Sequence, residues 1–188
     1  MTDRVHTIVA DPPWAFSDAL PGNGRGASKH YATMPVEKIE RFLIDHHAEL
    51  PRIPGTALLF MWRVGAMQEE ALRVIRAWGF ELKSEIVWEK TIPGSDDRDL
   101  VFGMGHYTRW CHETCLIASR GQGSTLIQNR SIRSTFRAPI GQHSEKPDKF
   151  YDIVRKLAKG PYLELFARKT RAGWIQHGLE LGKLGGAA

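Results

Sequence analysis

Apolar residues fall along this chain in two alternating rhythms. Short, nearly unbroken runs, such as Ile8-Val9-Ala10, Thr56-Ala-Leu-Leu-Phe-Met-Trp62 and Tyr162 to Ala167, have the density of strands covered on both faces. Between them lie segments with one apolar stripe at three-four spacing. Val36, Ile39, Phe42 and Leu43 predict a helix over 36–50, with Pro35 suited to its first turn. Ala71, Leu72, Ile75 and Trp78 predict a second over 67–78, capped by Gly79. Phe150, Ile153, Val154 and Leu157 predict a third over 147–158. With strands over 5–10, 56–62, 80–88, 112–119 and 162–167, the alternation predicts an α/β fold: a mainly parallel, doubly wound sheet with at least one antiparallel member. Residues 91–108 read as a long irregular connection, the length at which loops become functional. The segment that follows residue 119 reads as a loose hairpin.

Composition narrows the class. At 188 residues, with 42% apolar and 25% charged side chains, the chain reads as one globular domain over 1–188 with a core of its own. No apolar run approaches the ~20 residues that span a bilayer. No secretory signal opens the chain, so a cytoplasmic protein is expected. Cys111 and Cys115 are the only cysteines, with His112 between them. That is too few for a disulfide scaffold and poor spacing for zinc, so buried thiols and no metal are expected. No strand is followed by Gly-x-Gly-x-x-Gly, and there is no Walker lysine loop.

Charge adds a partner class. The formal balance is +5, which permits a polyanion partner. Residues 120–137 carry Arg120, Arg130, Arg133 and Arg137 and no acid, and residues 22–30 are glycine-rich and basic. These are either solvated loops or two basic lips of a nucleic-acid groove.

The sharpest chemical feature is Asp11-Pro12-Pro13-Trp14, directly after the first predicted strand. Open α/β sheets bind ligands at the carboxyl ends of their strands. Two prolines stiffen such a loop. The Asp11 carboxylate and Pro12 carbonyl would form an acceptor-rich edge, and Trp14 a flat face beside it. Acceptors plus a stacking platform suit a planar base with an exocyclic amine; a strand-end turn with a core tryptophan is the plainer reading.

Further motifs follow in order: Tyr31-Ala-Thr33-Met-Pro-Val-Glu-Lys-Ile39, Leu59-Phe-Met-Trp62, Glu85-Ile-Val-Trp88-Glu-Lys90, Gly105-His-Tyr-Thr-Arg109, His112-Glu113-Thr-Cys-Leu116, His143-Ser144-Glu-Lys146-Pro147-Asp148, Glu164-Leu-Phe166-Ala-Arg168 and Gly173-Trp174, with Gly178 and Glu180 beyond. Together they resemble the Asp-Pro-Pro-Trp adenine-N6 methyltransferases, the MT-A family, over about residues 6–180. That family includes small bacterial and phage DNA methylases and the catalytic subunit of the mRNA adenosine methyltransferase. The resemblance implies a Rossmann-like, S-adenosylmethionine-dependent enzyme with permuted motif order. Asp11, Ser144, Lys146, Phe166, Arg168, Gly178 and Glu180 would serve the cofactor. Lys146 would reach its methionine end, and Arg168 and Glu180 its ribose. Leu179 stands where many members have asparagine, and Thr170 and Arg171 stand where the eukaryotic enzyme has His-Asn.

By that resemblance, adenine N6 would donate to Asp11 and Pro12, Trp14 would stack on the flipped base, and the amine would attack the sulfonium methyl in line. Tyr31, Lys90, Arg109, Glu113, Arg130 and Arg133 are candidate substrate contacts. Glu113 reads equally as a structural buried acid, Tyr31 as a lid or a core residue, and Lys146 as a cofactor contact or a surface lysine. Trp62 and Trp88 read as core. DNA is expected over RNA from the compact chain; the same reaction on RNA, and a non-catalytic nucleic-acid-binding subunit, are the alternatives. Sequence specificity is expected from loops such as 17–30, 91–108 and 120–142 or from a partner chain, and a homodimer is an open alternative to a single chain.

Overall fold

A computed structural model describes residues 4–16, 33–95, 99–103, 105, 107–142 and 144–178. In chain order the elements are β1 (Thr7–Ala10), α1 (Val36–Asp45), β2 (Ala57–Arg63), α2 (Gln68–Ala77), β3 (Glu81–Thr91), β4 (His112–Arg120), β5 (Thr135–Pro139), α3 (Asp148–Leu157), β6 (Tyr162–Leu165) and β7 (Trp174–His177). The strands form a seven-stranded sheet in the order β5-β3-β4-β2-β1-β6-β7. β1 pairs in parallel with β2 and β6, β6 with β7, and β3 with β5. β4 runs antiparallel to both of its neighbours, β2 and β3. This is the mainly parallel sheet with an antiparallel member that the periodicity predicts, and it is consistent with the Rossmann-like fold that the resemblance implies.

Both faces of the sheet are covered. Ile8, Ala10, Leu59 and Met61 point to the side where Ile39 and Phe42 of α1 and Ala71, Val74 and Ile75 of α2 pack. Val9, Leu58, Phe60 and Trp62 point the other way, onto Phe150, Tyr151 and Val154 of α3. A strand with apolar neighbours on both sides has no use for polar alternation, so β1 and β2 read as continuous apolar runs.

Two strands escape the sequence reading. Residues 120–142 do not form a hairpin; β5 instead joins β3 in parallel register, Trp88 opposite Phe136. Its Phe136 and Ala138 are buried while Thr135, Arg137 and Pro139 are exposed, an alternation set within an arginine-rich stretch. β7 is a four-residue edge strand, Trp-Ile-Gln-His, and only Trp174 in it is buried. The helix predicted to Leu50 ends at Asp45 and continues as turns.

The topology gathers chemistry at one edge. The parallel strands β1, β2, β3 and β6 end there, with Arg63 and Lys90 among the last residues of β2 and β3 and Asp11 and Phe166 directly after β1 and β6. Because β4 is reversed, it brings its first residues, His112 and Glu113, to that same edge.

Candidate active site

The Asp11–Trp14 loop is held by its own backbone. The Trp14 N–H donates to the Pro12 carbonyl at 2.8 Å, Phe16 N–H to the Trp14 carbonyl at 2.9 Å, and Met34 N–H to the Pro13 carbonyl at 2.7 Å. Each proline supplies a fixed φ and no donor, so the loop has few bonds to satisfy and little freedom to lose. One lone pair of the Pro12 carbonyl is used inside the loop, and one remains for a ligand.

Trp14 corrects the sequence reading. It is only 3% exposed, packed in the core on the α1–α2 side, and its indole N–H donates to the Trp62 carbonyl at 3.0 Å. It borders the groove but shows that groove almost no surface. Burying the ring and satisfying its N–H outweighs offering a face to solvent. The stacking role expected of it has no open face to act through.

Above the loop lies an open groove of about 560 Å³ whose wall and floor include Asp11, Pro12, Trp62, Lys90, Trp110 and Lys146. Its charged centre is a lysine between two carboxylates. Lys146, just before α3, is buried. Its ammonium donates to Asp11 Oδ2 at 2.9 Å and lies 3.3 Å from Glu113 Oε2. It also sits over the Trp62 ring, 5.3 Å from the centroid. Burial alone would push the Lys146 amine down, but the charges of Asp11 and Glu113 reverse that and hold it above its ordinary value. Glu113 is bridged from the other side by Lys90, whose ammonium is 2.5 Å from Oε1. Burial pushes the Glu113 carboxyl up, and the charges of Lys146 and then Lys90 more than offset this and bring it below the usual value. The four groups form a row of alternating sign, Asp11–Lys146–Glu113–Lys90.

A smaller depression opens from the same centre, sharing Asp11, Ser144 and Lys146 with the groove and adding Glu164, Phe166 and Arg168. Ser144 and Phe166 both have left-handed backbones, φ 64° and 61°, an uncommon conformation for residues with a Cβ. The Phe166 ring packs on Phe42, centroids 4.4 Å apart. Gly178 lies against the Ala167 backbone, where a Cβ would come within 2.3 Å of the carbonyl oxygen; its role is to let β7 and the chain after β6 approach. Glu164 is the residue the sequence reading left without a role. It accepts the Tyr151 hydroxyl at 2.5 Å and Gln176 Nε2 at 3.0 Å. Its signal is a lone acid in the apolar strand Tyr162–Leu165. Burial, the largest influence, keeps its carboxyl above the ordinary value despite those donors. Arg171, at a position where the resemblance departs, lies flat on Tyr151 at 3.4 Å and 3.8 Å from Glu164 Oε2.

The remaining candidates divide. Lys90 and Glu113 stand in the groove, as expected of substrate contacts. Arg109 lies outside the lining, over the Phe102 ring at 5.2 Å. Arg130 and Arg133 do not belong here. They line a separate depression with Leu58, Ser84 and Ser119, residues toward the opposite edge of the sheet. β5 starts halfway along β3, so the chain before it emerges at the far edge, and no contact of these two arginines with the groove is made. Tyr31, Glu180 and the basic stretch 22–30 lie outside the described residues. Among the described residues, Cys115 is buried and its thiol is pushed well up by burial, as expected of an inert core cysteine.

Comparison with known proteins adds an independent line. The family described as MT-A70 matches residues 5–180. Type II methyltransferase M.MunI of Mycoplasma sp is 28% identical over 197 residues, covering 95% of this chain and 78% of that protein. The N(6)-adenosine-methyltransferase catalytic subunit METTL3 of Homo sapiens is 28% identical over 178 residues, covering 93% of this chain but 28% of that protein. The N(6)-adenine-specific methyltransferase METTL4 of Mus musculus is 25% identical over 190 residues, 93% of this chain and 37% of that protein. The chain thus spans most of M.MunI and less than two fifths of either mammalian relative.

Proposed function

The chain belongs to the MT-A70 family of S-adenosylmethionine-dependent adenine-N6 methyltransferases, and we propose that its own substrate is adenine in DNA. The observation that carries the chemistry is the Asp11 carboxylate at the end of β1, fixed by the buried Lys146 and open to the groove. Two features favour DNA. The chain matches M.MunI over 78% of that protein's length, and it covers only 28% of METTL3. The formal charge of +5 suits either nucleic acid. Identity to METTL3 is the same 28%, so RNA is the second reading.

The donor set fits the cofactor. A zwitterionic ligand with a ribose needs anionic acceptors and cationic donors side by side. The smaller depression holds both: Asp11 and Glu164 against Lys146 and Arg168, with Phe166 as an apolar wall. These residues would hold S-adenosylmethionine, which when bound supplies an electrophilic methyl group on a sulfonium.

The chain's own residues then do the following. Asp11 Oδ and the free lone pair of the Pro12 carbonyl accept hydrogen bonds from the N6 amine. This draws nitrogen electron density out of the ring and orients the lone pair. Lys146 holds the Asp11 carboxylate in place through its 2.9 Å hydrogen bond, so the acceptor is organised before substrate arrives. Glu113 and Lys90 close the row and balance its charge. Proline at 12 and 13 holds the acceptors in position, which is where most of the gain from orientation arises. The test is transfer of labelled methyl to matched DNA and RNA oligonucleotides of mixed sequence, with Asp11→Asn as the control. Label in the DNA adenine N6 position supports the proposal. Label in RNA alone would replace it with the second reading.

A further inference from the structure

Burying Trp14 leaves the groove without its expected stacking face, and another tryptophan stands open on its wall. Trp110 lies just before β4, is 42% exposed, and borders the same groove as Asp11 and Lys146. Its plane is within 19° of the His112 ring, with centroids 6.3 Å apart, and His112 borders the groove too.

An indole half in water would ordinarily wander among rotamers. This one is held by three glycines, two against the ring and one against its backbone. A Cβ on Gly65 would come within 1.6 Å of Trp110 Cη2, so the ring lies directly on the backbone at the end of β2. A Cβ on Gly105 would meet Trp110 Cδ1 at 3.2 Å, and one on Gly103 would meet the Trp110 carbonyl oxygen at 2.3 Å. Gly103 N–H also donates to that oxygen at 3.2 Å. The benzo edge of the ring, Cζ2, Cη2 and Cζ3, is therefore fixed against the backbone after β2, while Trp110 stays 42% exposed. Exposing a large apolar surface while fixing it is unfavourable for the free protein. It suits a surface that a flat apolar partner covers.

We propose that Trp110, not Trp14, is the stacking platform for the target adenine. The proposal rests on the adenine-N6 methyltransferase reading and assigns to it the residue that holds the ring while Asp11 and Pro12 hold the amine. Stacking on an aromatic side chain serves any base. Trp110 would thus govern base capture, and Asp11 the choice of amine. It is a binding residue for the base.

Two readouts separate this from the underlying reading. The first is equilibrium binding of a single-stranded oligodeoxynucleotide containing 2-aminopurine, which needs no turnover. Wild-type protein, with S-adenosylhomocysteine present, is expected to quench the fluorophore by stacking. Trp110→Ala should lose that quenching and weaken binding on the order of tenfold, and Trp110→Phe should restore most of it. Gly65→Ala, which keeps the indole but displaces it, should behave like Trp110→Ala. The second is methyl transfer to an adenine oligonucleotide: Trp110→Ala should raise KM by a similar factor and leave kcat within about threefold. Unchanged quenching and KM in Trp110→Ala overturns the proposal while leaving the methyltransferase reading intact. Quenching lost in Trp110→Ala from a wild type that transfers no methyl to DNA keeps the platform and overturns the DNA reading. Thermal melting of each variant distinguishes a displaced ring from an unfolded chain.

Discussion

The Lys146 ammonium donates to the Asp11 carboxylate at 2.9 Å across 135 residues of sequence. The bond joins the start of α3 to the end of β1, so it links two ends of the fold at the reacting centre. Removing one member of a buried ion pair strands the other, at a cost of about 3–5 kcal/mol. Asp11 keeps some contact with water, its side chain being 21% exposed, so the low end applies. Lys146→Met is expected to lower unfolding stability in urea by about 3 kcal/mol and to abolish methyl transfer. Asp11→Asn in that background should return part of the stability, because the pair is coupled. A Lys146→Met protein as stable as wild type would show that the pair carries no such weight.

Trp14 tests the other half of the motif. Its ring is core and its N–H is bonded. Trp14→Ala should therefore destabilise by about 3–5 kcal/mol, the usual loss for a buried aromatic ring. Trp14→Phe keeps most of the volume and loses the bond to the Trp62 carbonyl, for about 1–2 kcal/mol. Trp14→Phe should retain oligonucleotide affinity within a factor of about three. A large fall in affinity with unchanged melting would restore the base-stacking role to Trp14.

The contrast between these two residues shows what was legible in the chain. Asp11, Lys146 and Glu113 could be picked out because a charged group beside an apolar strand run, or before a helix, has few structural uses. Trp14 could not be resolved, since an aromatic after Pro-Pro is equally at home inside or out, and only the packing of α1 decides. Trp110 needed contact knowledge: its seat is Gly65, just past the end of β2. Arg130 and Arg133 look like groove residues by charge alone, but charge does not say at which edge of a sheet a loop emerges. The sheet's strand order and β7 were likewise set by long-range pairing that a four-residue edge segment does not announce.

Glu113 gives a pH signature. Its carboxyl is held below the ordinary value of 4.5, against the upward push of burial, by Lys146 and Lys90. A depressed acid binds fewer protons in the folded state than in the unfolded one. The stabilisation is therefore complete above the ordinary value and is lost as pH falls through the folded one. Wild-type melting temperature should drop more steeply below about pH 4.5 than that of Glu113→Gln. At pH 7 the variant should be the less stable, because Lys90 and Lys146 lose a shared partner. Parallel pH profiles for the two proteins would show that Glu113 is not coupled to the lysines.

Glu164 carries the opposite sign. Burial holds its carboxyl above the ordinary value in spite of the Tyr151 and Gln176 donors and the nearby Arg171. The folded protein then binds a proton more readily than the unfolded chain, and ionising that group costs stability as pH rises from the ordinary value of 4.5 through the raised folded value. Such an arrangement is expected where a carboxylate is kept for a ligand that supplies donors of its own, such as a ribose. Glu164→Gln is nearly isosteric and removes the charge. Without ligand it should melt no lower than wild type at pH 7.5, with an advantage that shrinks at pH 5. Its affinity for S-adenosylhomocysteine, measured by calorimetry, should fall about tenfold or more, the loss of one hydrogen bond to a charged group. Wild-type affinity in Glu164→Gln would remove Glu164 from the cofactor site and leave its burial a matter of packing between α3 and β6.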